Sequence, residues 1–336
     1  MNRKAGEAVI YFVALGIYLA LCFWLPVEWP DLQDRLLAKQ ELLIPAGASA
    51  TEAAALIEKA GLILDRRQLI REMAKSGIDR KLLPGIYLLH KSTPAGLVHQ
   101  LSAQKPQMNK ITIVPGERYR TLTARLGKDK QGKDYLLAAL SDKNNFYPET
   151  RALLPEKPSD RMLYLFPETY FLSPGSKAAS ELVARASELW YREIGLPYAG
   201  KLTKASFFNH GILASLVEGE ARFPDEQAIL AGIFMNRLQK KMKLQSCATV
   251  VYAWEQKNIK KKKLSYLDLK IESPYNTYLF DGLPPGPVCV PGRGAWLSAI
   301  TPKPTEYLFF FADKDGRHIF SKNYREHIDK QKRTAR

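Results

Sequence analysis

The chain opens with its longest apolar run. Ala8 to Leu25 (AVIYFVALGIYLALCFWL) carries no charged residue. At ~1.5 Å per residue a helix over this run spans roughly 27 Å, close to the hydrocarbon thickness of a bilayer. Arg3 and Lys4 precede it, and Trp24 and Trp29 sit at its far end. These flanks predict an uncleaved single-pass anchor with the N-terminus inside and the rest of the chain translocated. Phe23-Trp-Leu-Pro26 is a poor cleavage region, so a removed signal peptide fits less well.

Beyond the anchor the periodicity shortens. Leu42–Gly47 predicts a strand closing in a turn, and Thr51–Ala60 a helix capped by Thr51 and stopped by Gly61. Arg67–Lys75 predicts a second helix, Leu83–Leu89 a turn and strand, and Pro94–Ala103 a third helix. The opening pattern then recurs: Ile111–Gly116 as strand and turn, Tyr119–Leu126 as helix. The two strand–turn–helix units are grouped as one small α+β module with few partnered acids or bases. Charge and proline mark a boundary over 127–160, with Lys133–Leu140 suited to a helix. Apolar, aromatic Leu163–Leu172 follows, then helices over 177–194, around Glu218, and over 226–240. Tyr307–Phe311 predicts a core strand, with a turn at Asp313–Gly316.

Composition adds limits. With 336 residues the chain suffices for about two domains, and 46% hydrophobic with 25% charged residues is ordinary for globular protein. Cys22, Cys247 and Cys289 form no disulfide framework or CxxC pair, and the histidines are scattered, so neither metal nor cofactor is expected. A Cys247–Cys289 pairing stays open. The net charge of +16 favours anionic partners, but the lysine-rich stretch 257–263 and the basic tail suit solvated segments, and no nucleic-acid motif accompanies them.

Candidate chemistry centres on Gly211–Ala221 (GILASLVEGEA). At ~100° per residue, Glu220 falls with Leu213, Leu216 and Val217 on the face expected to pack inward. Glu218 falls with Gly211, Ala214, Ser215 and Ala221, a face too small-sided for a core, which suggests room for a bulky ligand. That placement suits a general acid/base. Glu220 points about 160° away and is expected to form a buried ion pair with Arg237 on the next helix.

Four segments together resemble the YceG-like endolytic murein transglycosylase (MltG) family. They are Leu213–Glu220; Ile233-Phe-Met-Asn236-Arg237-Leu with Met242–Gln245; Tyr275-Asn-Thr-Tyr278 with Gly282–Pro287 and Pro291-Gly292; and Glu306–Asp313 with His318–Ser321 and Glu326-His327. The chain departs from the family pattern at Arg161-Met-Leu163, where Leu-Glu-Gly is common, at Glu168 in place of Asp, and at Ser246–Thr249 in place of Thr-Asp-Pro-Thr.

The resemblance implies an α+β protein. Its plan is a tip and transmembrane anchor (1–30), a LysM-like module (31–110), a second strand–turn–helix unit and connector (111–160), a catalytic domain (161–330) and a basic tail (331–336). It also implies peptidoglycan glycan strands as substrate and 1,6-anhydro ends as product. Glu218 would serve as acid then base, beside peptidoglycan synthases at the inner membrane. Gln245 would donate to substrate or Glu218, or bond to backbone as a loop amide. Tyr275, Asn276 and Tyr278 would line the sugar groove or, for the tyrosines, the core. Asn236 joins the supporting set, and structural roles are expected for His318 and His327. Two other readings stay open: a peptidoglycan hydrolase with water as nucleophile, and a catalytically weak wall-binding scaffold.

Overall fold

The computed structural model describes residues 38–334 except Ala46, 128–133, 174–177 and Lys262. The predicted span at 8–25 lies outside these residues; among them, no helix is long and apolar enough to cross a membrane. The chain forms two compact units that divide after Gln107.

The first unit runs β1 (Gln40–Ile44), α1 (Ala50–Lys59), α2 (Arg66–Ser76), β2 (Gly85–Leu89) and α3 (Pro94–Ala103). β1 and β2 pair antiparallel, with Leu42 opposite Tyr87. Ile57, Leu69, Met73 and Leu97 close the core from the helices. Side chains set the helix starts. Ser49, rather than Thr51, caps α1, because Glu52 completes a capping box with it. Asp65 caps α2 and Thr93 caps α3, with Pro94 in the first turn.

The second unit begins with β3 (Asn109–Thr112), α4 (Tyr119–Leu126) and α5 (Tyr135–Ser141). Short 3₁₀ turns lead to β4 (Thr169–Leu172) and α6 (Ala178–Trp190). Next come α7 (Lys204–Glu220), α8 (Gln227–Gln239), α9 (Cys247–Gln256) and α10 (Arg293–Ile300). The hairpin of β5 (Phe309–Ala312) and β6 (His318–Ser321) and then α11 (Tyr324–Thr334) close the unit. β3 pairs antiparallel with β4, Ile111 opposite Tyr170. The second strand–turn–helix segment therefore belongs to this larger unit and not, as the repeated pattern suggested, to one module with the first. The core centres on Trp190, whose ring meets Tyr164, Phe207 and Trp296 edge-on at 4.6, 5.8 and 5.5 Å. α7 threads this core, with Gly211–Val217 buried throughout.

Candidate active site

Glu218 occupies the last turn of α7, beyond the buried stretch. The small-sided face below it is not open: α10 packs into it. A Cβ at Gly211 would lie 2.3 Å from Leu163 Cδ2 and 2.6 Å from Trp296 Cη2. Ser215 Oγ donates to Ile212 O and accepts from Val288 N–H at 3.1 Å, drawing Val288–Gly292 along the helix. Small side chains here let another chain segment approach.

That approach delivers Gly292, the residue capping α10, to the carboxyl. Gly292 N–H donates to Glu218 Oε2 at 3.0 Å. Any Cβ at Gly292 would stand 3.3 Å from both Oε2 and Pro115. Pro115 belongs to the loop after β3, tied down by Gly116 N–H to Val290 O and Val290 N–H to Glu117 O, each 2.8 Å. Three distant stretches therefore surround one half-buried carboxyl. Burial pushes its pKa above the ordinary carboxylate value, and the Gly292 hydrogen bond opposes this more weakly. Oε2 is engaged by Gly292, while Oε1 takes no hydrogen bond among the described residues.

Glu220, on the other side of the helix, is half-buried and does not pair with Arg237. Its Oε1 accepts from Ser246 Oγ and from Ala248 N–H, the latter at 3.1 Å. The start of α9 offers unsatisfied backbone donors, and these capture the carboxylate. Arg237 is 5% exposed and bonds to carbonyls instead: Nε to Leu308 O and Nη1 to Leu244 O, both 2.7 Å, and Nη1 to Lys243 O at 3.4 Å. Its guanidinium lies over Phe309 and Phe310. It staples the approach to β5 and the 243–244 turn onto α8.

Glu220, Arg237, Gln245 and Tyr278 line one cavity of about 450 Å³, with Phe310 and His318 among the other walls. Gln245 is an exposed non-glycine residue at φ +47°, held by its N–H to Thr277 O at 3.0 Å. That left-handed conformation is uncommon for a residue with a Cβ, and Lys241 and Asn258 adopt it as well.

Other expected site residues turn inward. Asn276 is fully buried; its Nδ2 donates to Leu269 O and Ile271 O, and its Oδ1 accepts from Tyr278 N–H at 3.0 Å. Nothing remains for a sugar, so Asn276 shapes its own loop. Tyr275 is buried against Tyr252, with ring centroids 4.7 Å apart. Asn236 Nδ2 bonds to Thr305 O and Tyr307 O. Cys247 and Cys289 are unpaired, one exposed and one buried. Arg161, at the first departure from the family pattern, is buried and donates to the carbonyls of Leu140, Ser141, Pro155 and Glu156.

Sequence reasoning missed three partners. Ser246 anchors Glu220, and Pro115 backs Glu218. Glu226 takes both the backbone N–H and Nδ1 of His318, at 3.0 and 2.7 Å. Gly292 lay within a quoted motif, but only the fold reveals its amide as the clamp on Glu218.

The model of the YceG-like family matches residues 42–333. The chain belongs to the YceG-like family. Its relatives in this family include the endolytic murein transglycosylase of Bacillus subtilis, 29% identical over an alignment of 302 positions that covers 84% of this chain and 81% of that one. The protein of the same name from Streptococcus pneumoniae R6 is 30% identical over 84% of this chain, which spans 56% of its length. A crystal structure of a YceG-like protein from Listeria monocytogenes is similar with a TM-score of 0.54 and 26% identity, covering 87% of this chain and 98% of that one. These findings bear out the family resemblance and the mixed α+β class.

Proposed function

We propose that this protein is an endolytic peptidoglycan transglycosylase in which Glu218 is the single acid/base. One observation carries the assignment of that residue. Glu218 is a half-buried carboxyl with raised pKa, one oxygen held by Gly292 N–H and the other without a hydrogen bond among the described residues. A pKa raised above the ordinary carboxylate value favours the protonated form that a leaving group needs.

The chemistry needs no second carboxyl. Glu218 Oε1–H protonates the glycosidic oxygen as its bond to C1 of N-acetylmuramic acid breaks. The C6 hydroxyl of the same sugar then bonds to C1 and returns its proton to Oε1. The product is a 1,6-anhydro end, with no water consumed. A glycosidase with water or an enzyme nucleophile would need a paired carboxyl at about 5–9.5 Å. Glu220 projects from the opposite side of α7 and is engaged at the start of α9, so it is poorly placed for that role.

We read the 8–25 segment as a membrane anchor, with both units outside the inner membrane beside the growing wall and its synthases. The β1–α1–α2–β2 order that opens the first unit, before α3, supports reading it as the LysM-like wall-binding module.

The deciding experiment incubates full-length protein in detergent, and its Glu218→Gln variant, with uncrosslinked glycan strands, followed by product mass spectrometry. Anhydro ends made only by the unmutated protein support the assignment. Products heavier by one water would make it a hydrolase. Binding without cleavage by either form would favour a scaffold.

A further inference from the structure

Arg237 is the electrostatic anomaly of the second unit. A buried guanidinium ordinarily faces a carboxylate, because an unpaired buried cation is costly. Arg237 is 5% exposed, yet it makes no salt bridge among the described residues. Its Nε–H and its two Nη1 hydrogens serve three backbone carbonyls, while the two Nη2 hydrogens have no partner there. Glu220, the nearest candidate anion, is held by Ser246 and Ala248. Arg237 also lines the cavity of about 450 Å³, against the rings of Phe309 and Phe310. Burial pulls its pKa down, and the nearby Tyr278 and Glu220 offset this only in part, so a bound anion would favour the charged form.

From this geometry we infer that the cavity receives a carboxylate carried on a short aliphatic group, with Arg237 Nη2 as its donor and the β5 aromatic rings against its hydrocarbon part. A planar guanidinium edge with two free hydrogens matches a carboxylate oxygen pair, and the aromatic wall rejects a fully hydrated ion. The inference rests on the proposed function for the source of that group. Muramic acid carries a short peptide ending in carboxylates, and the cavity takes in Glu220, two residues from Glu218 but on the other side of α7. Arg237 would thus select strands that still bear peptides, acting in binding and not on the bond that breaks.

The test measures binding, so that it stands apart from catalysis. Full-length protein with Glu218→Gln, which leaves strands intact, is titrated with three fluorescently labelled strands. One bears its peptides, one bears peptides whose carboxylates are capped as primary amides, and one is stripped of peptides. The peptide-bearing strand should bind about tenfold more tightly than the other two, the worth of one charge-assisted hydrogen bond. Adding Arg237→Gln should bring the three affinities together. So should Gln331→Glu, which adds a second anion, beside Glu220, to the cavity wall without touching the carbonyl bonds of Arg237.

Equal binding of all three strands by the parent protein overturns the inference, as does a preference for peptides that amidation leaves intact. A preference that survives Gln331→Glu, with Arg237→Gln weakening all three strands alike, reduces Arg237 to a structural staple. Charge-selective binding by a protein whose unmutated form yields no anhydro ends would sink the proposed function while leaving this site standing.

Discussion

Replacing Gly211 with alanine sets two effects against each other. Alanine is the better helix former, by about 1 kcal/mol in a helix interior. The new methyl, however, would sit 2.3 Å from Leu163 Cδ2, 2.6 Å from Trp296 Cη2 and 2.9 Å from Leu163 Cγ. Comfortable carbon contacts begin near ~3.5 Å. Leu163 and Trp296 are both fully buried, so neither can swing into solvent. Overpacking of this kind costs about 1–3 kcal/mol, and two rigid neighbours argue for the upper half. The expected net loss is ~1–2 kcal/mol, a fall in Tm of roughly 2–8 °C for a unit of this size. The strain is relieved by easing α7 from α10, which lengthens the Glu218–Gly292 hydrogen bond. A displacement near 1 Å at a reacting group can cost about 100-fold in rate. Thermal unfolding followed by tryptophan emission reports the larger unit, which holds Trp190, Trp254 and Trp296. Rates of anhydro-end formation, taken well below the transition, report the site. A Gly211→Ala protein that melts higher than its parent would refute the close-packing account of α7.

Other predictions follow from the same contacts. Glu218→Gln should lower kcat by about 10²–10⁴ with little change in KM, counted as anhydro ends per unit time; a tenfold loss or less would remove Glu218 from the chemistry. The same variant carries a stability signature. Because the folded pKa of Glu218 lies above its ordinary 4.5, its protonation supports the fold below that value, and this support is lost as pH rises through the folded pKa. Glu218→Gln should therefore be more stable than the parent at pH 7, with the gap closing by pH 4; a denaturant midpoint gap that widens at pH 4 contradicts the burial argument. Gln245→Gly should relieve the φ +47° backbone, leaving stability unchanged or raised by up to ~1 kcal/mol, while losing the side chain from the cavity; a clear drop in the urea midpoint would show that Gln245 is not strained. Asn276→Ala strips three backbone partners from a fully buried site, at a cost of ~2–4 kcal/mol by chemical denaturation. A loss below 1 kcal/mol would reopen a substrate role for Asn276.

Local patterns were legible where local forces decide. α3 and α4 fall at their expected bounds, since Thr93 with Pro94 and the apolar spacing of Tyr119–Leu126 act within a few residues. The start of α1 was misplaced by overlooking the reciprocal Ser49–Glu52 box. Non-local pairing was opaque: β3 finds β4 across an intervening helical stretch, and no periodicity announces that partnership. α9, α10 and α11 escaped because they are short or flanked by loop-forming sequence. A helical wheel separated Glu218 from Glu220 correctly, but it could not tell an empty face from one that receives α10. It also made Arg237 the natural partner of Glu220, whereas nearby carbonyls and the start of α9 compete more effectively for each. The position of Glu218 was thus readable from sequence, and its environment was not.

The clamp on Glu218 has a consequence for when the protein can act. The carboxyl and the amide that holds it lie 74 residues apart, and the loop that backs them comes from before α4. The Glu218–Gly292 contact has to wait until the chain has been made through residue 292, late in the second unit. A chain in which these segments have not met leaves Glu218 solvated, without the burial that raises its pKa in the folded protein. On the proposed role of Glu218, competence depends on that closure.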